Sequence, residues 1–192
     1  MPCLSIHLAV AKEYLKNHKD ENEEEFILGT IAPDIDLPNI SKYINGVNEG
    51  KSSQHFGKNL DTSSLVSYSK SKVDFNEFFK FNDITSSFLK AYFLHLICDY
   101  YFFGEYIPKD ILENYSLQDA VKIGYNDYDL ITPILVRKYD LTIPYEVKDF
   151  FLRQGVGEIR LLHEELVDRF IKEMSSKNLE DEKKNLLNQQ RV

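Results

Sequence analysis

From Ser86 to Tyr106 the chain reads SSFLKAYFLHLICDYYFFGEY, close to twenty residues of nearly unbroken apolar and aromatic sequence. One His and one Asp are set into its middle. A helix that is apolar nearly all round belongs in the centre of a bundle, where neighbours can cover every face. The pattern predicts such a helix from about Ile84 to Phe103, with Gly104 as a plausible end and Pro108 as a break. His95 and Asp99 stand four apart, so both project from one face, with Cβ atoms roughly 5–6 Å from each other. A buried, unpaired carboxylate costs several kcal/mol and needs a partner. A metal ion would suit both groups, and so would a His–Asp hydrogen bond inside a core. Lys90, His95 and Asp99 within the stretch argue against a membrane span.

The remaining pattern is helical as well. Ser5 can cap a helix over 6–18, with Leu4, Leu8, Ala11 and Leu15 along one stripe and His7 at its edge in the first turn. His18 lies about 16 Å further along the axis, too far to share a ligand with His7, and its Lys and Asn neighbours read as solvent-exposed. A second helix is expected over 23–31. Pro33 should break it near Ala32, leaving Asp34 free to aim its carboxylate, with Asp36 as a competitor and an ordinary turn as the plainer use of Pro-Asp. Residues 37–54 are rich in Asn, Ser and Gly and read as a surface loop, after which His55 reads more readily as a surface or half-buried residue than as a ligand. Asp74 can cap a short helix over 75–81. Ser116 starts another that Pro133 should kink or split, and Asp127 and Asp129 just before that kink are either solvated acids or carboxylates facing a site. Pro144 begins a helix to about Leu152. A last amphipathic helix is expected over 158–174. It carries His163-Glu164-Glu165-Leu166-Val167, which is not the His-Glu-x-x-His of a metalloprotease, so His163 reads as helix surface.

The expected fold is therefore all-α, a compact multi-helix bundle around the central apolar helix. Residues 1–174 are read as a single domain and residues 175–192 as a charged, frayed tail. With 43% hydrophobic and 13% aromatic residues the chain can bury a sizeable core, and disorder is implausible. A net charge of −8 with no dense basic run makes long nucleic acids poor partners. Two cysteines give neither a disulfide framework nor zinc-finger spacing. The first residues lack the basic and apolar regions of a signal peptide. A reduced, cytoplasmic setting is the expectation.

Taken in order, the candidate ligands are His7, Asp34, His55, His95 and Asp99. They fall in the words Ser5-Ile6-His7-Leu8, Leu28-Gly29-Thr30-Ile31-Ala32-Pro33-Asp34, Ser53-Gln54-His55-Phe56 and Leu94-His95-Leu96-Ile97-Cys98-Asp99-Tyr100. In this order, with His-x-x-x-Asp on an apolar helix, they resemble the zinc-dependent phospholipase C superfamily. That superfamily includes single-strand-specific zinc nucleases and many small metal-dependent hydrolases, and the likeness covers roughly the first 105 residues. It implies a compact helical fold holding up to three zinc ions. Carried over residue by residue, Asp34, His55, His95 and Asp99 would hold one metal. His7 would reach a second, with Asp99 bridging. The aspartate matching Asp34 is also discussed in that family as a base. The chain departs from the pattern after Asp99, where a further His is replaced by Glu105, and it has no later His-x-x-x-Glu. One or two ions are therefore expected, with Glu105 or Asp127 as supplements.

Imidazoles and carboxylates without thiolate suit zinc, and also iron, manganese or nickel. The chemistry that follows is phosphoester hydrolysis by metal-activated water on a small soluble substrate, with Asp34 and Asp99 as the catalytic carboxylates. Alternatives are a non-catalytic helical module stapled by its metal, a metal-free helical interaction protein, and a His-Asp-domain phosphohydrolase. The last needs an adjacent His-Asp pair that the chain does not contain.

Overall fold

Nine α-helices form among the residues described by the computed structural model of this chain, 3–47 and 54–189. Ser53 of the His55 word and part of the expected surface loop lie outside the described residues. No strand forms among those described, only a single bridge between Phe56 and Val73. In chain order the helices are α1 (Leu4–Asn17), α2 (Glu23–Ile31), α3 (Leu65–Ser71), α4 (Phe75–Phe81), α5 (Ser87–Tyr101), α6 (Lys109–Glu113), α7 (Leu117–Lys138), α8 (Glu164–Ser175) and α9 (Leu179–Gln189). The chain is all-α, a bundle built around α5.

Local chemistry sets most of the starts. The side chains of Asn22, Ser64, Asp74, Ser86 and Ser116 each accept a backbone N–H in the first turn of the helix that follows, satisfying donors that have no intrahelical partner. Ser5 is an exception. It lies inside α1, which starts one residue before it, and its hydroxyl meets that of Thr132 on α7 at 2.9 Å.

α5 buries residues on all sides, from Phe88 to Asp99, and runs into a π-helical turn, Phe102–Tyr106, before Pro108. α2 crosses α5 most closely. A Cβ at Gly29 would stand 2.2 Å from the carbonyl oxygen of Phe88, so only glycine permits this approach. α1 packs on α2, α7 and α8. These contacts bring the first turn of α1 and the end of α2 against the middle of α5.

The structure departs from the sequence reading in the second half. Pro133 neither splits nor ends α7, which continues to Lys138. The lost backbone bond and ring clash cost about 3 kcal/mol, offset by a face of Ala120, Gly124, Ile131 and Leu135 that the bundle buries. The segment 145–151 is a 3₁₀ helix. The last amphipathic helix starts only at Glu164, because residues 160–162 give their backbone N–H groups to Asp127 instead. His163 is the exposed residue before it. Through residue 189 the tail is not frayed. α9 buries Leu179 and Leu186, and Tyr101 donates a 2.6 Å hydrogen bond to Glu182. Residues 190–192 lie outside the described residues. In the 37–47 segment Leu37, Ile40 and Ile44 are buried, so this part is not merely surface. His18 is half-buried, stacked on Tyr14 with ring centroids 3.8 Å apart.

Candidate metal centre

Four chain segments meet at one face of α5. α1 brings His7 from its first turn, where an apolar stripe holds the helix inward. α2 ends in a 3₁₀ turn, Ala32–Asp34, that sets Asp34 beside α5. α5 itself carries His95 and Asp99. His55 arrives from the loop before α3, and that loop is pinned on several sides. Tyr92 donates its hydroxyl to the carbonyl of Gln54. With its amide nitrogen turned inward, Gln54 donates to the carbonyls of Ala32 (2.5 Å) and Ile35 (3.1 Å). Gly57 donates to the carbonyl of Lys72 at 2.9 Å. Between them Phe56 holds a left-handed backbone, φ 67°, which costs a non-glycine residue roughly 1–2 kcal/mol. Its buried ring, packed on Phe78 and Tyr92, offsets that strain.

The result is a closed set of nitrogens and oxygens. His7 Nε2 lies 3.3 Å from Asp99 Oδ1, and His55 Nε2 lies 3.0 Å from Asp99 Oδ2 and 3.5 Å from Asp34 Oδ1. His95 Nε2 is 3.8 Å from Asp99 Oδ2 and 3.9 Å from Asp34 Oδ2. His95 Nδ1 is 2.8 Å from the carbonyl oxygen of Thr30. A carbonyl only accepts, so Nδ1 carries the proton and Nε2 presents its lone pair to the two carboxylates. At 3.8 Å, a simple core hydrogen bond between His95 and Asp99 is not made.

His7, His55, His95 and Asp99 are at most 2% exposed, and Asp34 is 7% exposed. Yet among the described residues His7 Nε2, His55 Nε2, His95 Nε2, Asp34 Oδ1 and both oxygens of Asp99 make no hydrogen bond of good geometry. Buried polar atoms are rarely left in that condition, and five converging side chains make an accident implausible. Zinc holds imidazole nitrogen and carboxylate oxygen at about 2.0–2.2 Å, which sets tetrahedral neighbours roughly 3.3 Å apart. The separations here fall around that value. His7, His95 and Asp99 form one group able to hold a cation, and Asp34, His55 and His95 form another, with ligand atoms in each within 4.8 Å of one another.

Protonation favours the same use. Burial lowers the pKa of His55, and burial followed by neighbouring His7 lowers that of His95 to about 3, so both rings are neutral near pH 7. Burial alone would raise the Asp99 carboxyl, but the Lys72 ammonium, Nζ 3.6 Å from Oδ2, holds it well below the usual range. Neutral imidazoles and ionised carboxylates are the forms that bind cations.

The two supplementary carboxylates are elsewhere. Glu105 is exposed on the π-helical turn. Asp127 is buried, but its oxygens accept from the backbone N–H groups of Arg160, Leu161 and Leu162. It anchors a chain reversal rather than facing the cluster. Lys72 is the residue that sequence reasoning missed. It caps the end of α3 in a run of Ser and Lys, and no local pattern tells it from a surface lysine.

Beside the cluster lies a pocket of about 390 Å³, walled by Tyr68, Phe103, Tyr125, Tyr128 and Phe150 and reaching Asp34. Asp34 is the cluster residue that touches it. Among the described residues no helix is long and apolar enough to cross a membrane. No family model, curated protein or solved structure matches the chain.

Proposed function

We propose that His7, Asp34, His55, His95 and Asp99 hold one or two divalent cations, zinc being the best match, and that the chain is a metal-dependent phosphoester hydrolase of the phospholipase C-like kind. The observation that carries this reading is the convergence on one point of α5 of buried imidazole and carboxylate atoms that, among the described residues, make no hydrogen bond of good geometry. A divalent cation held by these residues would supply Lewis acidity, lowering the pKa of water and offsetting charge on a phosphoryl oxygen. The protein does the rest. Thr30 fixes the tautomer and angle of His95 through its carbonyl, an outer contact of the kind that tunes metal ligands. Asp99, ionised and flanked by three imidazoles, would be a shared ligand if two cations were bound. Asp34 stands between the cluster and the pocket, where its carboxylate can take a proton from an attacking water. The pocket suits a small ester with an apolar or aromatic portion, and a chain of net charge −8 suits a small substrate better than a long polyanion. A cytoplasmic setting, with both cysteines free, belongs to the same proposal.

A second reading is a metal staple without catalysis. Near-complete burial of four of the five ligands favours it, because a structural site has no need of an open position. One experiment separates the two. Protein purified without a His tag is analysed for metal and then assayed on a panel of small phosphate mono- and diesters. Stoichiometric metal with turnover supports the hydrolase. Stoichiometric metal without turnover supports the staple, and protein free of metal after zinc loading refutes both.

A further inference from the structure

Gly124 stands inside α7, and no neighbouring backbone asks for a glycine there. Glycine weakens a helix interior relative to alanine, a cost that is repaid where another chain segment comes too close for a Cβ. Gly29 and Gly155 are such places. A Cβ would stand 2.2 Å from the Phe88 carbonyl oxygen at the first and 2.7 Å from the Asn126 carbonyl oxygen at the second. Gly124 differs. Beyond its own stretch of helix, a Cβ there would have no atom within 4 Å, although the residue is buried. A buried position with open space above it faces a hollow, and this hollow is the pocket of about 390 Å³ that reaches Asp34.

α7 forms a long wall of that pocket. Ala120, Gly124, Tyr128 and Thr132 all line it and follow one another at steps of four, so they share one face of the helix. At Thr132 the hydroxyl meets that of Ser5, which lines the pocket together with Asp34. Gly124 lies eight residues back, about 12 Å along the helix axis. Phe150 and Phe151 line the pocket as well, and the chain that follows them is fastened to α7. Asn126 donates its side-chain amide to the Val156 carbonyl at 3.0 Å and accepts the Val156 N–H at 2.9 Å. The walls are therefore tied to one another.

The lining selects a ligand. Tyr125 and Tyr128 meet edge to face, ring centroids 6.0 Å apart, and Phe103 and Phe150 stand around the same space. Such walls favour a planar aromatic guest, which can stack on rings or meet their edges. With about 12 Å between the Thr132 end and Gly124, a two-ring group reaches where a single ring stops short.

We propose that Gly124 is the specificity-determining residue of this pocket, its missing side chain leaving room for the far ring of a two-ring aromatic group carried as the alcohol portion of the phosphoester. Its part in turnover rests on the metal-dependent reading above, whereas its part in holding the ring does not. Two opposite signs separate this role from a structural one. Gly124→Ala should raise stability, because the helix gains propensity and the new methyl meets no neighbour, and the same change should weaken binding of the ring.

The test titrates the full chain, with and without zinc, with 2-naphthol, a neutral fluorescent probe that carries no phosphate. Wild type should bind it in both forms. Gly124→Ala should melt about 2–4 °C higher and bind the probe less tightly. Gly124→Leu, which fills the space, should lose about tenfold or more in affinity. In the zinc-loaded chain, kcat/KM for 2-naphthyl phosphate should fall by the same factor, and that for methyl phosphate should not change. If Gly124→Leu does not fold, Gly124→Ala reads the same quantities. Absence of 2-naphthol binding to wild type, or unchanged affinity in Gly124→Leu, overturns the role of Gly124 and leaves the metal centre standing. A lower melting midpoint in Gly124→Ala also overturns it, by making the glycine a packing requirement, and so do equal losses on the two phosphates. A chain that binds 2-naphthol in a Gly124-dependent way but holds no zinc supports the ring site and overturns the phosphoester reading alone.

Discussion

The imidazoles of His7 and His95 lie face to face, ring centroids 3.7 Å apart and planes 7° from parallel. Stacking so close in a buried site disfavours charge on His95. Burial and then His7 depress the His95 pKa to about 3, from the ordinary histidine value of 6.5.

The sign of the resulting pH dependence is fixed. Between about 3 and 6.5 the unfolded chain binds a proton at this position that the folded chain does not, so stability rises with pH there. The contribution is complete above 6.5 and is lost as pH falls towards 3. His55, also lowered by burial, acts in the same direction. Urea melts of the metal-free chain at pH 7.0, 5.5 and 4.5 should show a midpoint that drops with each step. His95→Gln should flatten that dependence, and an equal drop in the variant would assign the loss to other groups.

His95→Ala and Asp99→Ala should each remove most bound metal and most activity on a small phosphodiester. Each supplies an atom that faces the proposed cation, so the loss of affinity should exceed the ~10–100-fold typical of outer-shell partners. Elemental analysis after gel filtration checks this directly. Undiminished metal in either variant would mean that the wrong residues have been assigned.

Asp127→Ala makes a contrasting case. Its carboxylate accepts three consecutive backbone N–H groups, and leaving buried donors unpaired costs about 1–3 kcal/mol each. The variant should lose at least about 3 kcal/mol of stability in denaturant melts. Its metal content per folded molecule should match wild type, whereas a fall in metal with stability intact would return Asp127 to the site.

These residues also mark where the sequence was readable. His95 and Asp99 share a helix face because of a spacing of four, and Asp34 follows a Pro that stops its helix. Both are local facts. His55 gives no such signal, since its polar loop is held in place by contacts of Gln54 and Gly57 with Ala32, Ile35, Tyr92 and Lys72, from other parts of the chain. Lys72 and Asp127 depend on partners 27 to 35 residues away in sequence. The carboxylate that looked like a further ligand is instead spent on backbone amides. α9 was misread because its acids and lysines masked Leu179 and Leu186, two turns apart on one buried stripe.

That stripe can be tested on its own. Leu186 is fully buried at 0% exposure, and truncating such a leucine costs about 2–5 kcal/mol. Leu186→Ala should lower the thermal midpoint by several degrees. A frayed tail would show no change.

Pro33 has a consequence larger than its place in a short turn suggests. Carbonyls in the last turn of a helix run out of intrahelical donors, and a proline ring has no N–H to offer them. The interruption at Pro33 therefore gives two things at once: a bare oxygen on Thr30 for the proton of His95, and a change of direction that swings Asp34 towards the same ring. Had α2 wound on for another turn, its own amides would have competed for that oxygen and its axis would have carried the acid past. One stop in a helix thus orients one residue and delivers another.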